Sequence, residues 1–372
     1  LVPLVIKPSP FHRLFFIPIL ALTYYVIFRT STGALDTHYY LACSWLTYIF
    51  TASDYILLTD VQRELHQVPP SPSPPAPPPL ATAPLGRHIA WGVDLFLSPR
   101  GVGWTHAPLS ALPTPPRAGM PRAAFVARQL ARAAGFFLLH DAAALHVRWN
   151  GVYRAHGVGL AGAGWAARTL GVAGWGLAAY SAMMLAWCVV SAAGAAVGLG
   201  APERWVPLFG GPREAWSIRK FWGRAWHQLV RRFVSAHGKH LAHRVLHLQP
   251  GSNASSYVQL YTAFLISALI HYFAETMALR HWRGGALRFF LLQAGAITVE
   301  DFLVFLARKT PFVRAPRRVV WAAGYAWTLA WFTLSLPGWQ DPLNAAGQMD
   351  KPLPVSVWMG LWRGEWVLGP VV

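Results

Sequence analysis

His271 is the residue in this sequence best placed to do chemistry, because it ends the apolar run Phe264-Leu265-Ile266-Ser267-Ala268-Leu269-Ile270. A helix starting near Tyr257 puts it about 14 residues in, roughly 21 Å along at 1.5 Å per residue. If that helix crosses a bilayer, the imidazole lies past the midplane, where an ionisable side chain is costly and marks a functional site facing the protein interior. As a neutral ring it can accept a hydroxyl proton as a general base. The bland alternative is a neutral histidine hydrogen-bonded between helices. Ser267 sits one turn earlier on the same face, so a Ser–His nucleophile is conceivable. A helical serine bonding the preceding turn's carbonyl is the commoner case.

A second concentration of functional side chains is 216–234, Trp-Ser-Ile-Arg-Lys-Phe-Trp-Gly-Arg-Ala-Trp-His-Gln-Leu-Val-Arg-Arg-Phe-Val. Read as a helix, Trp222, Trp226, Leu229 and Phe233 recur at spacings of four, three and four and form one apolar stripe. Lys220, Arg224, His227 and Arg231 share that spacing on a neighbouring face. The pattern predicts an amphipathic helix at a membrane surface, its cations turned toward something negative. Anionic lipid headgroups and a phosphate-rich substrate both satisfy that face.

Other groups carry weaker signals. His237, His240, His243 and His247 have helical spacing, but Lys239 and Arg244 beside them repel a cation, so a basic surface is expected rather than a metal site. Glu300 and Asp301 sit inside an apolar stretch and must either line a reaction chamber or pair with a basic residue of another helix. His140-Asp141 reads as a structural pair. Cys43 and Cys188 lie in apolar runs away from these motifs and read as small buried hydrophobes. Two cysteines exclude a disulfide framework and a cysteine-based zinc module.

The elements that must position these groups are membrane spans. Charged residues are 12% of the 372, hydrophobic residues 54% and aromatics 14%, against about 25% charged in a soluble domain. Disorder is excluded, because disordered chains are charge-rich and aromatic-poor. Apolar stretches near 11–28, 39–58, 125–146, 170–199, 257–279, 287–306, 319–336 and 354–371 suggest about eight transmembrane helices. The one at 125–146 carries Arg128 and Arg132 and could instead be interfacial. Trp358, Trp362 and Trp366 in the last read as packing or an interface belt. No cleavable leader is expected before the first span, although the sequence opens at Leu1 rather than Met and the natural N-terminus is expected to precede it.

The chain reads as a single domain over 1–372, with a long polar loop at 59–124 and a basic connection at 201–256. The loop contains the proline run 69–79, which favours an extended tether. Lys and Arg number 32 against 14 Asp and Glu, a net charge of +18. The excess concentrates in the 201–256 connection and in Arg308, Lys309, Arg314, Arg317 and Arg318. With eight spans, both connections and both termini share one side, which the positive-inside rule makes cytosolic. Nucleic acid is a poor explanation of the excess, since it lies beside apolar spans and no binding module is present.

The string Phe221-Trp222-Gly223-Arg224-Ala225-Trp226-His227-Gln228, followed by Arg231-Arg232, resembles the signature of wax synthase-like membrane-bound O-acyltransferases, particularly the fungal branch. Arg100-Gly101-Val102-Gly103-Trp104 is similar to their Arg-Gly-Ile-Gly-Trp segment, and the run ending in His271 is similar to the helix that carries their histidine. Better known acyltransferases of the superfamily have Asn where His227 stands, whereas fungal members have His. The resemblance implies an all-α polytopic enzyme of the endoplasmic reticulum membrane. It would move an acyl group, acetyl above all, from acyl-CoA as co-substrate to a lipophilic alcohol such as a terpenoid, with no bound cofactor and no metal. His271 and His227 are the implied catalytic residues, and Arg224, Arg231, Lys220, Trp226 and Gln228 the implied contacts of the CoA. An intramembrane cyclase or isomerase using Glu300, Asp301 or His271 is the rival reading. A proton-coupled transporter is weaker, for want of an inverted repeat of broken spans.

Overall fold

The computed structural model describes residues 1–6, 9–68, 80, 83–309 and 316–370. The proline run at 69–79 and Arg314 lie outside the described residues. The regular elements are helical. The main ones are α1 (Phe16–Arg29), α2 (Leu35–Ser53), α3 (Leu85–Phe96), α4 (Arg122–Trp149), α5 (Trp165–Ala196), α6 (Arg231–Lys239), α7 (Asn253–Leu279), α8 (Ala286–Lys309), α9 (Arg317–Ser335), α10 (Pro337–Ala345) and α11 (Val357–Arg363). Among the described residues the extended pairings are two isolated bridges, Gln67 with Trp104 and Leu353 with Leu368.

Hydrocarbon offers the backbone no hydrogen-bond partner, so a crossing segment must be a helix that bonds itself. Among the described residues five helices are long and apolar enough: His12–Arg29, Leu35–Leu58, α5, α7 and α8. The pair α9 and α10, bent by 43°, gives a sixth if taken as one span. The count of eight is therefore not reached. Helix α4 has 28 residues, but Arg122, Arg128, Arg132, Asp141 and Arg148 keep it out of the apolar set. The 354–371 stretch is not a span. Helix α11 stops after seven residues at Gly364, whose φ of 76° suits a left-handed cap, and Leu353 and Leu368 then exchange backbone hydrogen bonds at 2.9 and 3.0 Å. Its tryptophans pack locally instead: Trp358 Nε1 donates to the Leu138 carbonyl at 2.9 Å, and Trp362 meets Trp149 edge to face.

The chain forms two compact units, Leu1–Leu112 with Gln228–Arg280, and Pro113–His227 with His281–Val372. In the first unit, α7 packs along α2 and α6, and α1 lies on α2. Helix α2 ends in a π turn, Asp54–Leu58. There Arg232 at the start of α6 donates through Nε to Asp54 Oδ2 at 2.9 Å and through Nη2 to Thr59 Oγ1 at 3.1 Å. Thr59 Oγ1 in turn donates to Asp54 Oδ1 at 2.7 Å. His237 continues the seam, its Nε2 2.8 Å from Ser53 Oγ.

In the second unit, α4 and α5 pack along one another, and α5 is rich in Gly, Ala and Ser, which lets backbones approach closely. His140 and Asp141 are both structural, but they serve different elements rather than each other. His140 Nδ1 lies 3.3 Å from Ser181 Oγ, while Asp141 Oδ2 accepts from the amides of Val357 and Trp358 at 2.7 and 3.1 Å and caps α11. This cap attaches α11 to α4 together with the Trp358 bond, the Trp149–Trp362 contact and the packing of Met359 on Leu145.

The Asp54 side chain is fully buried and that of Arg232 is 18% exposed, so removing Asp54 leaves a mostly buried cation without its partner. Asp54→Ala is expected to destabilise the protein by about 3–5 kcal/mol, read as a lower thermal midpoint in detergent. Asp54→Ala with Arg232→Met should recover part of that loss, since neither charge is then stranded.

Candidate active site

Helix α7 carries His271 against α2. Its Nδ1 lies 2.7 Å from Tyr39 Oη and 3.6 Å from Cys43 Sγ, and the ring stacks on Tyr39 with centroids 6.0 Å apart at 26°. Tyr39 and Cys43 are one turn apart, so both reach the same imidazole. The expectation that neither cysteine lies near the motifs fails for Cys43: 228 residues separate it from His271 in sequence, and the pairing of α2 with α7 closes that distance. Glu275, one turn beyond His271, is 0% exposed and within electrostatic reach of both Tyr39 and Cys43. Ser267 Oγ donates to the Ala263 carbonyl at 3.0 Å, the local bond expected of a helical serine.

The 216–234 stretch is not one amphipathic helix. A short turn, Ile218–Lys220, runs into a π turn, Phe221–Ala225, closed by Trp226 N donating to Phe221 O at 2.7 Å. Trp226 is then extended, with ψ 156°, and helix resumes only at Arg231. The predicted apolar stripe and cationic face therefore do not exist. Aromatic packing explains the wider turn: Trp222 meets Phe289, Phe290 and Phe332, while Phe221 stacks on Trp226 at 5.5 Å. Gly210 passes so near this turn that a Cβ would stand 2.3 Å from the Arg224 carbonyl oxygen. The Gly210 amide bonds the Ala225 carbonyl at 2.9 Å.

Carboxylates secure the start of the motif. Glu300 Oε2 accepts from Ile218 N at 2.8 Å, and Asp301 takes a two-pronged bond from Arg219. Of the two roles open to this acidic pair, the structure shows the second, as an anchor for another element.

The expected site residues divide as follows. In the second unit, Lys220 Nζ sits 4.4 Å over Trp216, Arg224 is 3.8 Å from Glu214, Trp226 packs on Phe209 and Phe221, and His227 rests between Phe209 and Trp226 at 6.0 and 5.6 Å. In the first unit, buried Gln228 accepts from Arg231 Nη1 at 2.9 Å, and His271 has the surroundings described above. Lys220 also lines a cleft of about 520 Å³ with Arg213, Glu214, Trp216, Arg317 and Trp321. Arg317 lies 4.7 Å over Trp321, so aromatic faces rather than acids hold two of its cations, and their charge stays available to a ligand. Sequence reasoning missed Tyr39, Cys43, Trp216 and Trp321 as site residues; the polar pair at i, i+4 inside the second apolar stretch was the available signal for the first two.

The Arg100–Trp104 segment is a core element of the first unit. Trp104 is 1% exposed beside Trp91 and Leu95, and Arg100 is 4% exposed. Burial lowers the Arg100 guanidinium to about 10, and burial, with the Arg232 charge, lowers His106 to about 4. His243 Nε2 lies 2.8 Å from Ser255 Oγ and His237 Nδ1 2.8 Å from the Phe233 carbonyl, so these two rings turn to different partners. Among the described residues no group of three or more His, Cys, Asp or Glu side chains could hold a metal ion.

The profile of the membrane bound O-acyl transferase family matches residues 205–292, which include both the π-turn motif and His271. The acetyltransferase ple2 of Rhodocybe pseudopiperita is 35% identical over 367 residues, covering 97% of this chain and 93% of its own length. The acetyltransferase eriL of Hericium erinaceus is likewise 35% identical over 367 residues, covering 96% and 92%. The acetyltransferase aurG of Calcarisporium arbuscula is 33% identical over 193 residues, 50% of this chain and 46% of its own. No solved structure matches. With full-length relatives of this kind and the family's motif in place, the chain belongs to the membrane-bound O-acyltransferase family, among its fungal-type members, and is an acyltransferase.

Proposed function

We propose that this acyltransferase moves an acetyl group from acetyl-CoA to the hydroxyl of a lipophilic alcohol, such as a terpenoid, in the endoplasmic reticulum membrane. The observation that carries the reading is an imidazole, His271, held by its Nδ1 inside an apolar membrane helix of a chain whose full-length relatives are named acetyltransferases. The alcohol oxygen attacks the thioester carbonyl while its proton passes to His271 at Nε2. The tetrahedral oxyanion then collapses, the carbon–sulfur bond breaks, and the CoA thiolate leaves and takes up the proton. Direct transfer of this kind needs no acyl-enzyme.

His227 is assigned to donate an N–H to the thioester oxygen as negative charge develops, a role supported by its place in the motif and its aromatic seat. Lys220, Arg224 and Arg231 supply positive charge for the CoA phosphates, and Trp226 and Gln228 hold the motif in shape. The cleft containing Lys220, Arg213 and Arg317 supports the phosphate assignment, since charge-assisted bonds to phosphate are strong ones. Of the three acid or base candidates of the rival cyclase, Glu300 and Asp301 are engaged by Ile218 and Arg219, which leaves it only His271.

Membranes containing the protein, given labelled acetyl-CoA and a panel of terpenoid alcohols, should yield a labelled ester. His271→Ala should lower its formation by about 10²–10⁴-fold without loss of the protein from the membrane. Residual activity above about a tenth would remove His271 from the base role. For the motif histidine, His227→Asn should keep measurable turnover because the amide also donates, whereas His227→Leu should lose about 10²–10³-fold.

The phosphate assignment has its own check. Lys220→Ala and Arg317→Ala should each raise the KM for acetyl-CoA by about 10-fold, as loss of one charge-assisted bond does. The rate with acetyl-pantetheine, which lacks the nucleotide, should not change. Equal losses with both donors would assign these cations to folding or to lipid headgroups.

A further inference from the structure

We infer that Tyr39 is a positioning residue that sets the tautomer of His271, and that Cys43, which faces the same ring nitrogen, is not a nucleophile. The inference rests on His271 being the base. It concerns which of its nitrogens does the work and what makes that nitrogen basic.

A neutral imidazole carries one N–H, and only its other nitrogen can accept a proton. Nδ1 of His271 is 2.7 Å from Tyr39 Oη, which admits two arrangements. If Tyr39 donates to Nδ1, the ring proton is on Nε2 and the ring cannot act as a base there. If Nδ1–H donates to Tyr39 Oη, the lone pair is on Nε2 and the ring can. The role of His271 decides between them: a base acting at Nε2 requires Nδ1–H to donate to Tyr39 Oη. Cys43 Sγ stands 3.6 Å from the same Nδ1, and a thiol is only a weak donor and acceptor, so the shorter contact to the phenol oxygen governs that nitrogen. The stack of the two rings at 26° fixes the rotation of the imidazole about that bond. Once Nε2 has taken the alcohol's proton, the same Nδ1–H···Oη bond stabilises the imidazolium, so it strengthens as the reaction advances.

Tyr39→Phe keeps the stacked ring and removes only the hydroxyl, while Cys43→Ser keeps an acceptor and removes a thiol nucleophile. Both, with His271→Ala, would be assayed for labelled ester formation in nanodiscs at matched thermal midpoints. Tyr39→Phe is expected to lower kcat by about 10- to 100-fold, with KM for acetyl-CoA and alcohol within about twofold. Cys43→Ser should retain kcat within about threefold. If Tyr39→Phe does not accumulate, Glu275→Gln, which replaces the buried acid within electrostatic reach of Tyr39 at constant shape, should lower kcat alone by about 3- to 10-fold. Full activity of the phenylalanine variant, or a change in KM alone, overturns the positioning role. Loss of activity in Cys43→Ser with an active Tyr39→Phe overturns it in favour of an acyl-cysteine. A fully active His271→Ala would fail the base assignment itself, a result separable from an inactive His271→Ala beside a fully active Tyr39→Phe.

Discussion

An acidic side chain inside this protein is used chiefly to hold irregular backbone, and the rest of the arrangement follows from that constraint. Glu300 fixes the start of the motif, Asp141 the start of α11, and Asp341 the turn at Leu160 and Ala161, whose amides it accepts at 2.8 and 2.9 Å. In an apolar surrounding an unbonded amide costs several kcal/mol, so a carboxylate placed there does what water would do at a soluble loop. With only 14 acids against 32 Lys and Arg, those used on backbone are unavailable to neutralise cations. The cleft around Lys220 shows the consequence. Its Lys220 and Arg317 rest on tryptophan faces, and its one carboxylate, Glu214, points toward Arg224. Positive charge left in that condition favours a polyanion.

The helical class was legible because the composition leaves no alternative, and His271 was legible because an ionisable residue deep in an apolar run is costly unless it has a use. Its surroundings were not. Tyr39 and Cys43 contact it from across 232 and 228 residues, a relation set by how α2 pairs with α7 and not by any local pattern. The acidic pair at 300–301 announced that it needed partners, but Arg219 and the Ile218 amide are 82 residues away. Helix 354–371 was misread for a physical reason: apolarity counts equally toward a span and toward a short hairpin packed on a neighbour, and Gly364, the residue that ends α11, weighs little in an average over the whole stretch.

The motif at 216–234 failed as a helix for a different reason. Periodicity assumes 3.6 residues per turn, and a π turn adds a residue, which rotates everything beyond it off the predicted face. One such turn lies at Phe221–Ala225 and another at Asp54–Leu58, where Asp54 waits for Arg232. Both adjoin residues of functional interest, as π turns commonly do. Aromatic crowding at Trp222 and the close pass of Gly210 favour the wider turn, and neither is visible to a count of apolar spacings. The resemblance of the string survived because it depends on residue identity, which a change of local winding does not alter.

Placing the proposed base in a span also answers a selectivity problem. Water is both more concentrated than any lipid alcohol and a competing nucleophile toward a thioester. A general base contributes about 10²–10⁴-fold whichever hydroxyl it deprotonates, so the base alone cannot prefer the alcohol. Excluding water can. His271 stands among the buried side chains Ile266, Ile270 and Ala274 of its own helix, and on its Nδ1 side the described contacts are a tyrosine hydroxyl and a thiol. Such a lining admits an apolar acceptor readily and hydrates poorly. It also restricts which groups can orient the imidazole. A full carboxylate against the ring would be expensive to bury, whereas the phenol of Tyr39 offers Nδ1 a neutral oxygen. Under the proposed function, the membrane therefore favours both the ester over the acid as product and a neutral oxygen over a charged one as the partner of Nδ1.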